Sequence, residues 1–128
     1  MDDGFMTCFA KFLAARLRSF GFALEGLVYV LKTEGNSRVH LFATILVLGL
    51  GFGFGVSRLE WVALLVAIAL VWVAEIMNTA LEMLCDFVEP ERSDAIRRSK
   101  DAAAGAVLVA ALVAAGIGAL IFWPYIFS

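Results

Sequence analysis

The sequence predicts an all-α membrane protein: three membrane-spanning helices preceded by an amphipathic surface helix. Hydrophobic residues occupy 62% of the 128 positions, and mean hydropathy is +0.92. Apolar runs cover Val39 to Val56, Trp61 to Ala74 with its continuation, and Ala102 to Tyr125. Each is of the order of the ~20 residues that carry a helix across a bilayer. The chain is accordingly read as one domain, residues 1–128, with the surface helix at about 5–32 and spans at about 39–56, 61–85 and 102–123. The opening Met1-Asp2-Asp3-Gly4 lacks the basic and short apolar regions of a signal peptide, so no cleaved leader is expected.

Charge placement predicts the orientation. Lys11, Arg16, Arg18, Lys32 and Arg38 precede the first span, and Arg92, Arg97, Arg98 and Lys100 lie between the second and third; Arg58 alone falls in the first connection. By the positive-inside rule the amino terminus and second loop face the cytoplasm and the carboxyl terminus lies outside. A net charge of −2, with no basic stripe, argues against a nucleic-acid partner. Cys8 and Cys85 both fall on the cytoplasmic side, where thiols stay reduced, and two isolated cysteines do not form a zinc site.

From Phe5 to Lys32, Phe5, Phe9, Phe12 and Leu13 are set against Lys11, Arg16 and Arg18, with Gly21 and Gly26 as possible breaks. That pattern suits a helix in the headgroup layer, basic groups toward lipid phosphates, although a helix packed on its own bundle has the same pattern. Glu34, Asn36, Arg38 and His40 form the polar approach to span one; His40 is read as a hydrogen-bonded structural residue, and Glu34 as the partner for a cation shared with span two. Gly49, Gly51, Gly53 and Gly55 suggest close helix packing or a loosened helix end, not a phosphate loop. Ser57 to Glu60 is read as a tight connection and Trp61 as an interfacial anchor. Pro90 should end the second span's helix, Ser93 or Asp94 should cap a helix starting near Ala95, and Ala102 to Ala106 should let span three approach its neighbours.

The chemistry concentrates on span two. A helix turns by about 100° per residue, so Asn78 and Glu82 lie about 300° and about 700° round from Glu75, on one face, and Asp86 joins them. Ionisable groups at the end of an uncharged apolar run cost several kcal/mol unless paired or metal-bound, which marks this face as functional. Lys100, expected level with Glu82, is either a topological anchor or a phosphate contact. Carboxylates for a metal, a cation for phosphates and a carboxylate near an acceptor hydroxyl are the parts that phosphoryl transfer needs.

The combination Glu75-x-x-Asn78-Thr79-Ala80-x-Glu82, followed by Lys100-Asp101 and the small run to Ala106, resembles the bacterial membrane lipid kinase family of diacylglycerol kinase and undecaprenol kinase. The resemblance extends from about Phe20 to Trp123, and Glu34-Gly35-Asn36-Ser37-Arg38-Val39-His40-Leu41 is similar to the Gram-positive branch, whose members mostly phosphorylate undecaprenol. It implies that Glu75 is the general base toward a lipid hydroxyl, that Asn78 orients this lipid substrate, and that Glu34 and Glu82 hold Mg2+ bound to ATP. Lys100 and Asp101 would contact the nucleotide, as would Glu91. The family usually has Tyr-His where this chain reads Glu91-Arg92-Ser93, a departure at the nucleotide side. The resemblance further implies a homotrimer with shared sites in the bacterial inner membrane, and phosphorylation of undecaprenol or, alternatively, of diacylglycerol to phosphatidic acid. Two other classes compete: a cation or proton carrier, which needs no Lys100-Asp101 pair, and a structural membrane subunit, which leaves the polar face unexplained.

Overall fold

The computed structural model describes residues 3–91 and 93–128; Met1, Asp2 and Arg92, which entered the reading of the amino terminus and second loop, lie outside the described residues. The elements are α1 (Asp3–Thr33), α2 (Gly35–Phe54), α3 (Arg58–Val88) and α4 (Asp94–Phe127). No strand occurs among the described residues. The helices α2, α3 and α4 are each long and apolar enough to cross a membrane, as expected. The chain forms two compact units, one ending at Thr33 and one running from Glu34 to Ser128.

The first unit is the single helix α1. Gly21 and Gly26 do not break it, because each costs about 1 kcal/mol in a helix of 31 residues otherwise free of breakers. Phe5 and Phe9 stack with centroids 6.3 Å apart. Arg16 departs from the expected polar face: its guanidinium lies 5.5 Å from the centre of the Phe12 ring, four residues back, in a cation–π contact.

In the second unit α3 packs chiefly along α4 and in part along α2. Of its buried residues, Leu64, Ala67, Val71, Glu75 and Thr79 recur every three or four positions and form one stripe, with Cys85 buried farther along. Lipid tails are as apolar as leucine, so packing in a membrane rests on close approach, and Ala67 of α3 and Ala110 of α4 are buried with little side chain between backbones.

Helices α3 and α4 run past the expected spans at both ends, whereas α2 starts earlier than expected and stops at Phe54, before Val56, and the reasons are local. Gly55 takes a left-handed conformation, φ 63° and ψ 48°, and Val56 N–H donates to the Gly51 carbonyl at 3.2 Å, closing α2. Ser57 caps α3, accepting from Glu60 N–H at 3.2 Å, so the connection is only Gly55 to Ser57 and Glu60 already belongs to the helix. At the other end α3 stops at Val88, before Pro90, and Ser93 caps α4 by accepting from Ile96 N–H at 3.2 Å.

The glycine run has divided roles. A Cβ on Gly51 would sit 2.6 Å from the Trp61 indole, whereas Gly49 and Gly53 have open space. Trp61 is thus folded against α2, its ring 4.7 Å from that of Phe52 and packed on the cluster of Val56, Leu64 and Phe122. At this end Tyr125 Oη donates to the Glu60 carboxylate at 2.9 and 3.1 Å, tying the start of α3 to the end of α4.

Candidate active site

The buried stripe of α3 changes from aliphatic to polar at Glu75, which is 1% exposed. Its Oε2 lies 3.4 Å from His40 Nε2 on α2 and has no hydrogen-bond partner. The backbone around Glu75 is secured separately: Thr79 Oγ1 donates to the Glu75 carbonyl at 3.0 Å. One turn on, Asn78 Nδ2 donates to Glu82 Oε1 at 3.5 Å, while Asn78 Oδ1 is buried and unpartnered. Buried polar atoms without partners carry a cost of about 1–3 kcal/mol each, so unspent acceptors here mark a place prepared for a ligand.

Two ties hold α2 at this level. Thr44 Oγ1 donates to the His40 carbonyl at 2.7 Å and accepts from Trp72 Nε1 of α3 at 2.9 Å. The His40 ring meets Trp72 edge-on, centroids 6.4 Å apart. His40 and Thr44 also form the polar margin of an apolar cavity of about 310 Å³ between α2, α3 and α4 that reaches Leu50, Ala115 and Phe122.

Farther along, Lys100 of α4 pairs with Asp86 of α3, with Glu82 and Cys85 within electrostatic reach of the ammonium. Lys100, expected level with Glu82, takes as its partner Asp86, one helical turn beyond Glu82 on α3. Lys100 and its neighbour turn to different partners, however: Asp101 pairs with Arg97 at 3.5 Å one helical turn back, and Arg97 also reaches Asp94 at 3.9 Å. Arg97, Lys100, Asp101 and Ile96 border a cavity of about 240 Å³. Glu34 stands half-buried at the amino end of α2 without capping it, and Glu91 is exposed in the turn between α3 and α4.

Among the described residues no three His, Cys, Asp or Glu groups converge to cage a metal. Magnesium does not need such a cage, because it is usually held by one or two carboxylates plus substrate phosphates and water. The half-buried Glu82 carboxylate and the unpartnered Asn78 Oδ1 are hard oxygen donors of the type it prefers.

The structure brings together Asn78 with Glu82, and Glu75 with a residue that sequence reasoning had read as merely structural, His40. A signal for it existed: Ser37, His40 and Thr44 recur at helical spacing on one face of α2, and the Ser37 hydroxyl is itself fully buried and unpartnered. The Glu60–Tyr125 bond, joining residues 65 apart, had no local signal.

The family model described as prokaryotic diacylglycerol kinase matches residues 21–122, from within α1 to near the end of α4. The chain belongs to that family. The prokaryotic diacylglycerol kinase family is one of membrane lipid kinases, and the match contains Glu34, His40, Glu75, Asn78, Glu82, Lys100 and Asp101. An undecaprenol kinase of Bacillus subtilis is 36% identical over 107 residues, covering 84% of this chain and 87% of its own. A diacylglycerol kinase of Synechocystis is 33% identical over 113 residues, covering 88% of this chain and 65% of its own. A diacylglycerol kinase of Escherichia coli is 27% identical over 109 residues, covering 85% of this chain and 89% of its own.

Proposed function

We propose that this protein transfers the γ-phosphoryl group of ATP to the hydroxyl of a membrane lipid, with undecaprenol as the acceptor. The observation that carries the reading is Glu75: a carboxylate 1% exposed, its Oε2 unpartnered, at the polar end of an apolar stripe. A hydroxyl reaching that atom must come from a molecule already in the apolar layer. The cavity margined by His40 and Thr44 supports a hydrocarbon acceptor. The similarity to the Bacillus subtilis undecaprenol kinase favours a polyprenyl alcohol; the likeness to two diacylglycerol kinases keeps diacylglycerol as the second reading.

In this reading Glu75 Oε2 accepts the hydroxyl proton as the oxygen attacks phosphorus, and Asn78 orients the lipid acceptor beside it. Glu34 and Glu82 hold magnesium, which when bound offsets the charge of the ATP phosphates. Lys100, after exchanging Asp86 for phosphate oxygens, acts as a point charge on the nucleotide; Asp101 and Glu91 shape its surroundings. The chain works as one kinase domain in the bacterial inner membrane, as a homotrimer with shared sites, its nucleotide side in the cytoplasm where ATP is available. The basic residues flanking that side support the orientation.

The test is radiolabelled phosphate transfer from ATP by purified protein in nanodiscs containing undecaprenol or diacylglycerol, with and without magnesium. Magnesium-dependent labelling of undecaprenol in preference to diacylglycerol is expected. Preference for diacylglycerol selects the second reading, and labelling of neither refutes a lipid kinase.

A further inference from the structure

We propose that His40 is the exit for the proton that Glu75 removes from the lipid hydroxyl. This rests on the lipid-kinase reading and adds a step to it. In the transfer the lipid O–H bond and the bond between γ-phosphorus and its bridging oxygen break, and a new O–P bond forms. The proton moves to Glu75 Oε2, and ADP leaves with the electron pair of the broken P–O bond. Glu75 must then shed that proton before it can serve again, and its side chain is only 2% exposed.

His40 meets the requirements of a relay. Its Nε2 lies 3.4 Å from Glu75 Oε2, and its side chain is 16% exposed, so the imidazole bridges a buried acid and a more open position. The distance exceeds a normal hydrogen bond by a few tenths of an ångström, a gap that a small side-chain adjustment closes. Thr44 and Trp72 hold the His40 backbone and ring in place, leaving the ring nitrogens as the groups that can change state. Other ionisable groups toward this end are Glu34 and Arg38 on α2, Glu82 and Asp86 on α3, and Lys100 and Asp101 on α4. Glu82 is engaged by Asn78, Lys100 by Asp86, and Asp101 by Arg97. In the relay Nε2 takes the proton from Glu75, the imidazolium loses one proton to water, and the ring returns to the tautomer with Nε2 unprotonated, leaving both groups ready for the next lipid.

The step separates the first turnover from later ones. The first transfer needs only Glu75 to take up a proton, so a variant that cannot accept that proton from it should complete one transfer and then stall. In rapid-quench assays with saturating undecaprenol in nanodiscs and Mg-ATP, His40→Gln should form about one product per site in a burst much faster than its own steady turnover. Steady turnover should then be slower by roughly a hundredfold, the scale of a lost proton-transfer group. His40→Ala should show the same burst, and added imidazole should restore its steady rate. Nucleotide affinity equal to wild type in both variants reports an intact fold. A first turnover slowed as much as the steady rate would make His40 a structural residue and overturn the proposal, as would unchanged steady turnover. Wild-type protein run alongside distinguishes the failures: if it phosphorylates no lipid alcohol, the kinase reading itself is refuted and the relay falls with it.

Discussion

Glu75 and Glu82 are seven residues apart on one face of α3, about 10 Å along the axis, and their surroundings differ accordingly. Glu75 is enclosed and faces His40, whereas Glu82 is half-buried and held by Asn78. In the proposed mechanism that difference suits proton transfer at the first and metal binding at the second. Glu75→Gln keeps shape but cannot accept a proton, so it should lower kcat by roughly two orders of magnitude with nucleotide affinity nearly unchanged. The check is lipid phosphorylation rate beside nucleotide affinity in one preparation; near-normal turnover removes Glu75 as the base. Glu82→Gln should instead raise the magnesium concentration needed for half-maximal rate, and Glu34→Gln should do the same. Magnesium titrations of both variants that superimpose on wild type would take these carboxylates out of the site.

The helices meet through small residues, and Gly51 is the position where a methyl group has no room. Its Cβ would fall 2.6 Å from the Trp61 indole, forcing the ring away from Phe52 and from the Leu64–Phe122 cluster. Gly51→Ala should therefore destabilise the protein by about 1–3 kcal/mol, offset in part by alanine's better helix propensity. The Trp61→Phe background shortens the opposing ring, so the penalty should shrink there. Reversible unfolding in mixed micelles across the four-member mutant cycle measures the coupling, and additive effects would show that the two residues do not press on each other. Gly53→Ala, with open space around it, serves as the comparison.

For the whole molecule, charge asymmetry makes the strongest claim. Every Lys and Arg residue except Arg58 either precedes the first span or lies between the second and the third. With three spans, a reporter fused after Ser128 should therefore be active only outside the cytoplasm. Activity of a cytoplasm-only reporter at that position would overturn both the orientation and the supply of ATP to the Glu82 end. Mass measurement of the protein in native nanodiscs should give three copies, and a monomer carrying full activity would remove the shared-site arrangement.

The helical class, the three apolar helices long enough to cross a membrane and the Glu75–Asn78–Glu82 face were legible before folding, because each depends on composition or on the helical repeat within one segment. Helix ends were legible where a Ser, Gly or Pro punctuates them, at Ser93 and Pro90, and less so at Ser57, where the connection proved shorter than expected. Which residues of different helices meet depends on packing between segments far apart in the chain. His40 is separated from Glu75 by 35 positions, and nothing in either segment states how far α2 is rotated toward α3; the Thr44–Trp72 hydrogen bond settles that rotation. The same holds for Lys100 against Asp86 and Tyr125 against Glu60, whose charges and hydroxyl were visible in the sequence while their partners depended on how the helices pack.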